Sequence, residues 1–470
     1  MKTLGELYDG FGDTPIKGIK INSKECTPGD LFVCTMGVTA DRHPFAQEAF
    51  NNGAVAFVAS REISVDAPVI YVEDTNKELP LLCSKFYDHP EDKLDLIGVT
   101  GTNGKTTVAQ IIQDLLGDDY CGYLGTNGIK CKDFNEKIVN TTPDADRLYM
   151  YFDRFVQSGC KYLSIETSSE AFFRERLTNL SFRVGILTNI TQDHLNIHKT
   201  LDNYIECKKQ LFKQVEKDGF CILNADDGHF VEINKICNGI VYTYGKNLAD
   251  LQIYKMEEFL DKTNITFKYK GENYEVVSPL LGEFNAYNLA AAMMALLALG
   301  FDIKKIISRI SEIKVPSGRC EFLNYGQNYH IILDYAHTTD AFNSIYKLLN
   351  KVKQGRVITV TGSAGGREHE KRPSMGKTVL DNSDYVIFTM DDPRNEDVNS
   401  IIDDLVSTSD KTNYERVIDR KEAIAKAFSI AQPNDIVLIA GKACDNYMAL
   451  GDEYVPYCDL DVINSYFNKV

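Results

Sequence analysis

Several features that mark other protein classes are missing from this sequence. Its twelve cysteines form no C-x-x-C pair and no cluster with histidine. We therefore expect no structural zinc site, and scattered free thiols are typical of a reducing compartment. The chain also lacks an excess of positive charge: 51 Lys and Arg stand against 67 Asp and Glu, for a net charge of −16. This balance argues against nucleic acid or an anionic membrane as the main partner.

Long apolar runs are missing as well. The most apolar stretch, Ala290–Leu299, is too short to cross a bilayer, and we expect it to form a buried core helix. Met1–Phe11 lacks the basic start and the apolar run of a signal peptide. We therefore predict a cytoplasmic protein without membrane insertion, and we predict a monomer. With 470 residues, of which 44% are hydrophobic, the chain is long enough for about three domains.

One glycine-rich turn lies between a strand-like run and a helix-like run. Leu94–Val99 has the leucine, isoleucine and valine expected of a buried parallel strand, and residues 107–116 carry apolar side chains at helical spacing. The turn between them, Gly101–Thr106, reads GTNGKT. Such a turn can surround a phosphate with backbone N–H groups, so we predict a nucleoside triphosphate site with Lys105 on the phosphates and Thr106 near Mg²⁺. The strand ends in valine where the strict P-loop pattern has glycine or alanine.

Strand-like and helix-like runs alternate over most of the chain, which predicts an α/β fold with mostly parallel sheets and helices on both faces. Asp88–Glu91 reads as a linker, and Val315–Gly318 breaks the pattern again. Residues 241–274 are richer in β-branched and aromatic side chains and predict a small antiparallel patch. The predicted domains are residues 1–90, 91–317 and 318–470.

Two segments after predicted strands carry side chains that bind divalent metals. Glu166 follows the apolar run Tyr162–Ile165, where a carboxylate is well placed for Mg²⁺. Residues 188–198 follow the next strand and contain His194 and His198, which suggests a second metal. Taken alone, the glutamate is equally well explained as a helix cap, and a lone histidine is more often structural.

The last predicted domain has charged or glycine-rich turns after four strands. Chance would explain one or two such turns, and four of them indicate a binding face at one edge of a sheet. The four turns are Asp334–His337, Gly362–Arg367, Asp391–Arg394 and Gly441–Lys442.

Together these motifs resemble the Mur ligase family of ATP-dependent amide ligases, and in particular its tripeptide-synthetase branch. The resemblance runs from about residue 20 to the C-terminus. It implies a small α/β N-terminal domain for the UDP-linked substrate, a central P-loop parallel-sheet ATPase domain and a Rossmann-like C-terminal domain for the amino acid. The motifs that carry it are TGTNGKTT (100–107), NTTPD (140–144), ETSSE (166–170), TNITQDHLNIH (188–198), YIECKKQLF (204–212), GEFNAYN (282–288), SGRCE (317–321), DYAHT (334–338), GSAGGR and KRP (362–373), DDPR (391–394) and AGK (440–442).

The resemblance also implies a role for individual residues. The catalytic positions would be Lys105, Glu166, His194 and Lys208. The ATP contacts would be Gly101, Thr102, Asn103, Gly104, Lys105, Thr106 and Thr107, with Asn285 and Asn288 at the adenine and Arg319, Asp334 and His337 from the third domain. The metal ligands would be Thr106, Glu166, His194 and Lys208, the last as a carbamate. The UDP-substrate contacts would be Ser23, Thr141, Thr142, Ser168 and Arg176. The amino-acid contacts would be Arg367, Asp391, Asp392, Arg394 and Asp445.

Without the resemblance, Lys208 would read as a solvated helix lysine beside Lys209.

The implied reaction joins a diamino acid to UDP-N-acetylmuramoyl-L-Ala-D-Glu through an acyl phosphate, with ATP and Mg²⁺ as cofactors. The motif at Asp391–Arg394 leaves two amino acids open. Arg394 suits the distal carboxylate of meso-diaminopimelate, whereas Asp392, where the family usually has asparagine, suits the distal ammonium of L-lysine.

Two other functions remain alternatives at this point. One is a paralogue that joins a different amino acid to another carboxylate, because the departures from the family motifs gather around the amino-acid pocket. The other is a nucleotide-binding regulator that has lost ligation. The retained lysines and metal-binding side chains favour an active ligase.

Overall fold

The computed structural model describes residues 2–37, 41–138, 140–191, 195–366, 369–443 and 445–468. It contains two compact units. Unit 1 comprises Met1–Ile190 and Thr200–Tyr242, and unit 2 comprises Thr191–Lys199 and Thr243–Val470. Among the described residues, no helix has both the length and the apolar character that a membrane span needs.

Unit 1 begins with a small α/β layer. Its four-stranded sheet has the order β3-β4-β5-β6 and is parallel throughout. Strands β4 and β5 are completely buried, as expected for central strands of a parallel sheet. Short 3₁₀ turns lie at Ser23–Glu25, His43–Phe45 and Pro90–Lys93. The elements are β1 (Lys2–Thr3), α1 (Leu4–Leu7), β2 (Pro15–Ile16), β3 (Gly18–Lys20), β4 (Asp30–Val33), α2 (Ala46–Asn51), β5 (Ala56–Ala59), β6 (Val69–Tyr71) and α3 (Thr75–Phe86).

The second layer of unit 1 is a sheet built around the P-loop strand. Its elements are β7 (Asp95–Thr100), α4 (Lys105–Leu116), β8 (Cys121–Gly125), β9 (Gly128–Lys130), β10 (Asn135–Glu136), α5 (Ala145–Gln157), β11 (Tyr162–Glu166), α6 (Ser169–Phe173), β12 (Phe182–Leu187), α8 (Leu201–Lys213), β13 (Val215–Asn224) and α9 (Phe230–Asn234), with α7 (Leu195–His198) in unit 2. The strand order is β10-β9-β8-β11-β7-β12-β13. Strands β8, β11, β7, β12 and β13 are parallel, so their carboxyl ends, which carry the P-loop and Glu166, lie at one edge.

The first part of unit 2 holds an antiparallel meander and a buried helix. Its elements are β14 (Ile240–Gly245), whose first three residues belong to unit 1, β15 (Leu251–Glu258), β16 (Thr263–Tyr269), β17 (Glu272–Ser278), α10 (Glu283–Ala298) and α11 (Ile303–Ser308). Strands β15, β16 and β17 pair antiparallel, as the β-branched pattern predicted. Helix α10 is buried at every position from Asn288 to Leu296, which agrees with its prediction as a core helix.

The last part of unit 2 is a six-stranded sheet with helices on both faces. Its strand order is β18-β19-β23-β20-β21-β22, parallel except for the edge pair β18–β19. Alternate residues of β23 enter two different cores, one with α12–α14 and the other with α15 and α16. The elements are β18 (Glu321–Leu323), β19 (His330–Asp334), α12 (Thr339–Val352), β20 (Val357–Thr361), α13 (Arg372–Asn382), β21 (Tyr385–Phe388), α14 (Val398–Val406), β22 (Tyr414–Arg416), α15 (Arg420–Ile430), β23 (Ile436–Ala440), β24 (Tyr447–Leu450), β25 (Glu453–Pro456) and α16 (Asp459–Phe467).

Candidate functional site

The predicted phosphate loop lies where β7 meets the N-terminus of α4. A Cβ on Gly101 would lie 1.8 Å from the Thr188 hydroxyl, so this position requires glycine. Gly104 immediately precedes the helix, and its backbone has a left-handed conformation, with φ of +88°, which favours glycine. Lys105 Nζ donates to the carbonyl oxygens of Gly101 and Thr102, both at 2.9 Å. The loop therefore combines a helix N-terminus with a lysine held over it, an arrangement suited to a phosphate.

Val99, the departure from the strict P-loop pattern, is completely buried in β7. It pairs with Glu166 of β11 on one side and with Ile186 of β12 on the other. An apolar side chain therefore fits this position, because it belongs to the core of the sheet.

Glu166 is fully buried at the carboxyl end of β11, and its carboxylate accepts four hydrogen bonds. Oε1 accepts from the Tyr123 hydroxyl at 2.7 Å and the Thr126 backbone N–H at 2.9 Å. Oε2 accepts from the Thr106 hydroxyl at 2.9 Å and the Thr126 hydroxyl at 3.1 Å. A Cβ on Gly125 would lie 2.1 Å from Oε1, so glycine there makes room for the carboxylate. The structure thus joins two predicted metal ligands, Thr106 and Glu166, by a direct hydrogen bond.

Lys208 lies on α8 and is buried beside the phosphate loop. Its Nζ donates to the Gly101 carbonyl at 2.7 Å and lies 4.3 Å from the centroid of the Tyr204 ring. The side chain is therefore packed against the loop, in contrast to the solvated lysine that the sequence alone would suggest. The adjacent Lys209 instead forms ion pairs with Glu206 and Glu232.

Four of the five predicted UDP-substrate contacts form a chain of hydrogen bonds that leads away from Glu166. The Thr142 hydroxyl donates to the Glu166 carbonyl at 2.7 Å, and its oxygen lies 3.2 Å from Ser168 Oγ. Arg176 Nη1 donates to the Thr142 carbonyl at 2.9 Å. The Thr141 hydroxyl lies 3.0 Å from that of Thr126.

The fifth predicted contact, Ser23, is buried in the first layer of unit 1. Its hydroxyl donates to Glu48 at 2.5 Å.

A cleft of about 250 Å³ opens in the same unit, and Arg176 contributes to its wall. This volume is below that of a typical complete ligand pocket, so it fits only a part of a large substrate. Other residues of its lining are Ile21, Arg42, Asn76, Asp144 and Arg174.

Two predicted site residues, His194 and Arg367, lie outside the described residues. His198, the second histidine of the 188–198 segment, is buried at the end of α7. The predicted adenine contacts lie on α10, where Asn288 Nδ2 donates to Asn285 Oδ1 at 2.9 Å. The Asn285 side chain in turn donates to the Leu281 carbonyl at 2.8 Å.

The other three predicted ATP contacts in unit 2 lie close together at the end of β19. The Arg319 guanidinium lies 4.9 Å from the centroid of the Tyr335 ring, and this ring contacts His337 edge-on. The Asp334 carboxylate accepts from the backbone N–H groups of Cys320 and Ala336, both at 2.6 Å. Burial raises the pKa of Asp334 to about 6, although Arg319 and these hydrogen bonds oppose the shift.

The four polar turns predicted in the last domain follow strands β19, β23, β20 and β21, which are adjacent and parallel in that order. They therefore share one edge of the sheet. Asp391 is buried there, and burial raises its pKa to about 6 against the attraction of Arg420 and Lys442. A Cβ on Gly441 would lie 2.4 Å from the Asp391 carboxylate, and Gly441 has φ of +108°, so the β23 turn requires glycine.

Among the predicted amino-acid contacts, Asp392 and Asp445 share one lysine. Lys442 Nζ lies 2.8 Å from Asp392 Oδ1 and 3.0 Å from Asp445 Oδ2. Asp392 Oδ1 also accepts from the Ala449 backbone N–H at 2.8 Å. Both carboxylates thus have a cation from the protein itself.

Arg394 has a different environment. Its Nη1 donates to the Gly365 carbonyl at 2.7 Å, and its backbone N–H donates to the Ala449 carbonyl at 3.0 Å. Within the described parts of the chain, its guanidinium has no carboxylate as a partner. A half-buried arginine that bonds to a neutral carbonyl can donate hydrogen bonds to a substrate carboxylate.

Several residues that contact these groups were not predicted from the sequence. Tyr204 lies one helical turn before Lys208, and this spacing was an available signal. Lys442 appeared in a strand-end motif without a role. Tyr123 and Thr126 reach Glu166 from a neighbouring strand and its turn, and nothing local in the sequence marks them.

Comparison with known protein families gives three matches along the chain. Residues 15–87 match the Mur ligase family, catalytic domain, and residues 99–296 match the Mur ligase middle domain. Residues 318–443 match the Mur ligase, glutamate ligase domain. These matches follow one another in chain order over most of the sequence.

Individual relatives extend over nearly the whole chain. The UDP-N-acetylmuramoyl-L-alanyl-D-glutamate–2,6-diaminopimelate ligase of Bacillus cereus is 37% identical over 456 residues, which cover 95% of this chain and 93% of that protein. A solved structure of a ligase with the same name is 28% identical, with a TM-score of 0.69 and coverage of 100% of this chain and 99% of that chain. The MurF ligase of Thermotoga maritima in complex with ADP has a TM-score of 0.69 at 19% identity, covering 98% of this chain and 99% of that chain, and shows the same fold.

Proposed function

The chain belongs to the Mur ligase family of three-domain, ATP-dependent ligases, and we propose that it adds meso-diaminopimelate to UDP-N-acetylmuramoyl-L-alanyl-D-glutamate in peptidoglycan precursor synthesis. The observation that carries this proposal is the 37% identity, over 95% of the chain, to a relative named for that reaction. The domain boundaries at residues 90 and 317, a monomeric state and a cytoplasmic location are part of the same proposal.

The phosphate loop and its neighbours support the ATP half of the reaction. Thr106 and Glu166 offer hydroxyl and carboxylate oxygens 2.9 Å apart, which are the donors that Mg²⁺ prefers. When bound, Mg²⁺ would neutralise phosphate charge. Lys105 donates to two neutral carbonyl oxygens. Donating to an anionic phosphate oxygen instead would give it stronger, charge-assisted hydrogen bonds.

In the proposed reaction, an oxygen of the D-glutamyl carboxylate attacks the γ-phosphorus of ATP, and ADP leaves. The amino nitrogen of the diamino acid then attacks the carbonyl carbon of the acyl phosphate, loses a proton and displaces inorganic phosphate. Both steps gather negative charge near phosphoryl oxygens, so positioning and cationic groups provide most of the catalysis. Lys105 would bind the phosphates from the loop, and the family resemblance assigns further ATP contacts to Arg319 and His337.

We also propose that Lys208 is carbamylated. Its neutral amine would add CO₂, forming an N–C bond and releasing one proton, and the resulting carbamate would be an anionic oxygen ligand for a second Mg²⁺. The burial of Lys208 and its contact with the Gly101 carbonyl support this role, because they direct the side chain towards the phosphates. His194 would be a further ligand.

The cleft in unit 1 supports binding of part of the UDP-linked substrate. Arg176 lies on its wall and is fixed by Asp144 at 2.6 Å and by the Thr142 carbonyl. Because Thr142 also bonds to Glu166, this chain of contacts leads from the substrate cleft to the proposed metal site. Arg42 and Arg174 add positive charge to the lining, which suits a diphosphate.

The choice of diaminopimelate over lysine rests on the partners of Arg394 and Asp392. Arg394 bonds to a neutral carbonyl, whereas Asp392 already has Lys442. The charges therefore favour an amino acid that brings its own distal carboxylate, and a bidentate pair with Arg394 would bind it.

The test measures phosphate release from ATP with the UDP-linked dipeptide and either meso-diaminopimelate, L-lysine or L-ornithine. We expect a response to diaminopimelate and a much weaker response to the other two. Arg394→Ala should lower kcat/KM for diaminopimelate about 10- to 100-fold, the range expected for loss of a charge-assisted hydrogen bond, and should change lysine use by less than about threefold.

Arg416→Ala is the matched control, because Arg416 lies on β22 and pairs with Asp403 of α14. This variant should leave the use of both amino acids unaffected. Equal loss for both amino acids in Arg394→Ala would mean that this arginine is structural. ATP binding without release for any amino acid would favour a regulator, and release only with a different acceptor would favour a paralogue.

A further inference from the structure

Lys442 is a buried cation that the proposed reaction does not yet use. Its side chain is completely buried, and it forms ion pairs with both Asp392 and Asp445. The ammonium also lies 4.5 Å from the centroid of the Tyr447 ring. These anionic neighbours raise the pKa of Lys442 against the effect of burial, so the side chain is charged.

The lysine is close to the residues that would contact the amino acid. Ala449 of β24 accepts a hydrogen bond from the Arg394 backbone and donates one to the Asp392 carboxylate. Asp392 and Arg394 therefore sit side by side along this strand, with Lys442 on the Asp392 side. The charge of one side chain at position 442 thus affects what both neighbours can bind.

The two candidate amino acids differ in the charge of their distal end. Lysine ends in a lone ammonium, whereas diaminopimelate ends in an ammonium and a carboxylate on the same carbon. A lone ammonium is favoured by a local excess of negative charge, which Asp392 and Asp445 would provide in full if Lys442 did not offset part of it. A zwitterionic end needs a cation for its carboxylate and only a shared acceptor for its ammonium.

We propose that Lys442 is a specificity-determining residue, which offsets one of the two negative charges of Asp392 and Asp445 and so makes the pocket favour a zwitterionic distal end over a lone ammonium. The proposal rests on the proposed function. In this arrangement Lys442 acts through the two carboxylates and is a positioning residue. It explains how the chain tolerates aspartate at position 392, where the family usually has asparagine.

The test compares the ratio of kcat/KM for meso-diaminopimelate to kcat/KM for L-lysine in a set of variants. Lys442→Met keeps the length and apolar stem of the side chain but leaves both carboxylates without their cation, and the ratio should fall at least tenfold. Lys442→Arg keeps the charge and should stay within about threefold of the parent. The double variant Lys442→Met/Asp392→Asn removes one cation and one anion together and should recover most of the ratio.

Asp392→Asn alone provides a second route if Lys442→Met does not fold. It leaves Lys442 with only one carboxylate, so lysine should be rejected more strongly and the ratio should rise at least threefold. Lys426→Met is the control for loss of a lysine elsewhere in the same unit, because it removes an ion pair between Lys426 of α15 and Glu415 of β22.

The outcomes separate this inference from the proposed function. An unchanged ratio in Lys442→Met, with kcat/KM reduced equally for both amino acids, would overturn it and make Lys442 a purely structural residue. An unchanged ratio in Asp392→Asn would overturn it equally. Absence of amino-acid-dependent phosphate release by the parent protein would refute the proposed function, and this inference with it.

Discussion

The four hydrogen bonds to Glu166 allow its observed role as a hydrogen-bond acceptor and its proposed role as a metal ligand to be separated by one substitution. Glu166→Gln keeps one oxygen for the Tyr123 hydroxyl and the Thr126 N–H, which must both donate. Its amide nitrogen would replace Oε2 and face the hydroxyls of Thr106 and Thr126, which can rotate to accept. All four contacts can therefore be retained while the negative charge is removed.

The expected magnitudes follow from these contacts. Hydrogen bonds to a charged group are worth about 1 kcal/mol more than neutral ones, but the variant also avoids the cost of burying a carboxylate, so we expect the free energy of unfolding to change by about 1 kcal/mol. Glu166→Ala would instead leave buried donors unpaired, including a backbone N–H, at a cost of about 2–4 kcal/mol. If the carboxylate binds Mg²⁺, loss of its charge should lower turnover at least about 100-fold, or about 2.7 kcal/mol in activation free energy.

The assay combines urea unfolding of both variants with phosphate release measured over a Mg²⁺ titration. Glu170→Gln is the control, because Glu170 lies four residues further on, in α6, and pairs only with Arg174 among the charged side chains described. Turnover of Glu166→Gln within about threefold of the parent would refute a role as metal ligand. A loss of stability in Glu166→Gln as large as in Glu166→Ala would refute the hydrogen-bond assignment itself.

Two further predictions concern Lys208 and Asp391. Lys208→Ala should nearly abolish turnover, and high bicarbonate should not restore it, whereas the control Lys209→Ala should stay active. A carbamate carbon signal from labelled bicarbonate should appear in the parent and vanish in Lys208→Ala. Full turnover of Lys208→Ala would contradict the proposed carbamate. Asp391 has a pKa raised to about 6 from an ordinary value of 3.8, so its ionisation costs folding free energy as the pH rises through 6. Asp391→Asn should therefore gain stability relative to the parent as the pH rises from about 4 to about 7, by about 3 kcal/mol in total from the pKa shift, and a melting-temperature difference that is constant over this range would rule the effect out.

The sheets and the nucleotide loop could be predicted because their signals are local. Runs of apolar residues identified β7 and β11, and the turn with two glycines and a lysine identified the loop between β7 and α4. The boundaries were less accurate. Strand β7 extends to Thr100, because the Thr100 backbone pairs with Leu187 of β12 although its side chain is polar. Helix α4 begins at Lys105, before the first apolar residue of its helical pattern, because its first residues belong to the predicted phosphate loop.

The partners of the site residues could not be predicted, because they depend on which strands are neighbours. Tyr123 and Thr126 are 43 and 40 residues from Glu166, and they reach it because β8 pairs with β11 in a register that sets Leu124 opposite Ile165. The motif at Asp391–Arg394 also has a partner that is distant in sequence. In the sequence, Asp392 suits lysine and Arg394 suits diaminopimelate. The structure favours diaminopimelate because the turn after β23, two strands away in the sheet, brings Lys442 to Asp392. An identical DDPR motif in a chain without a cation at this position would therefore favour a different amino acid.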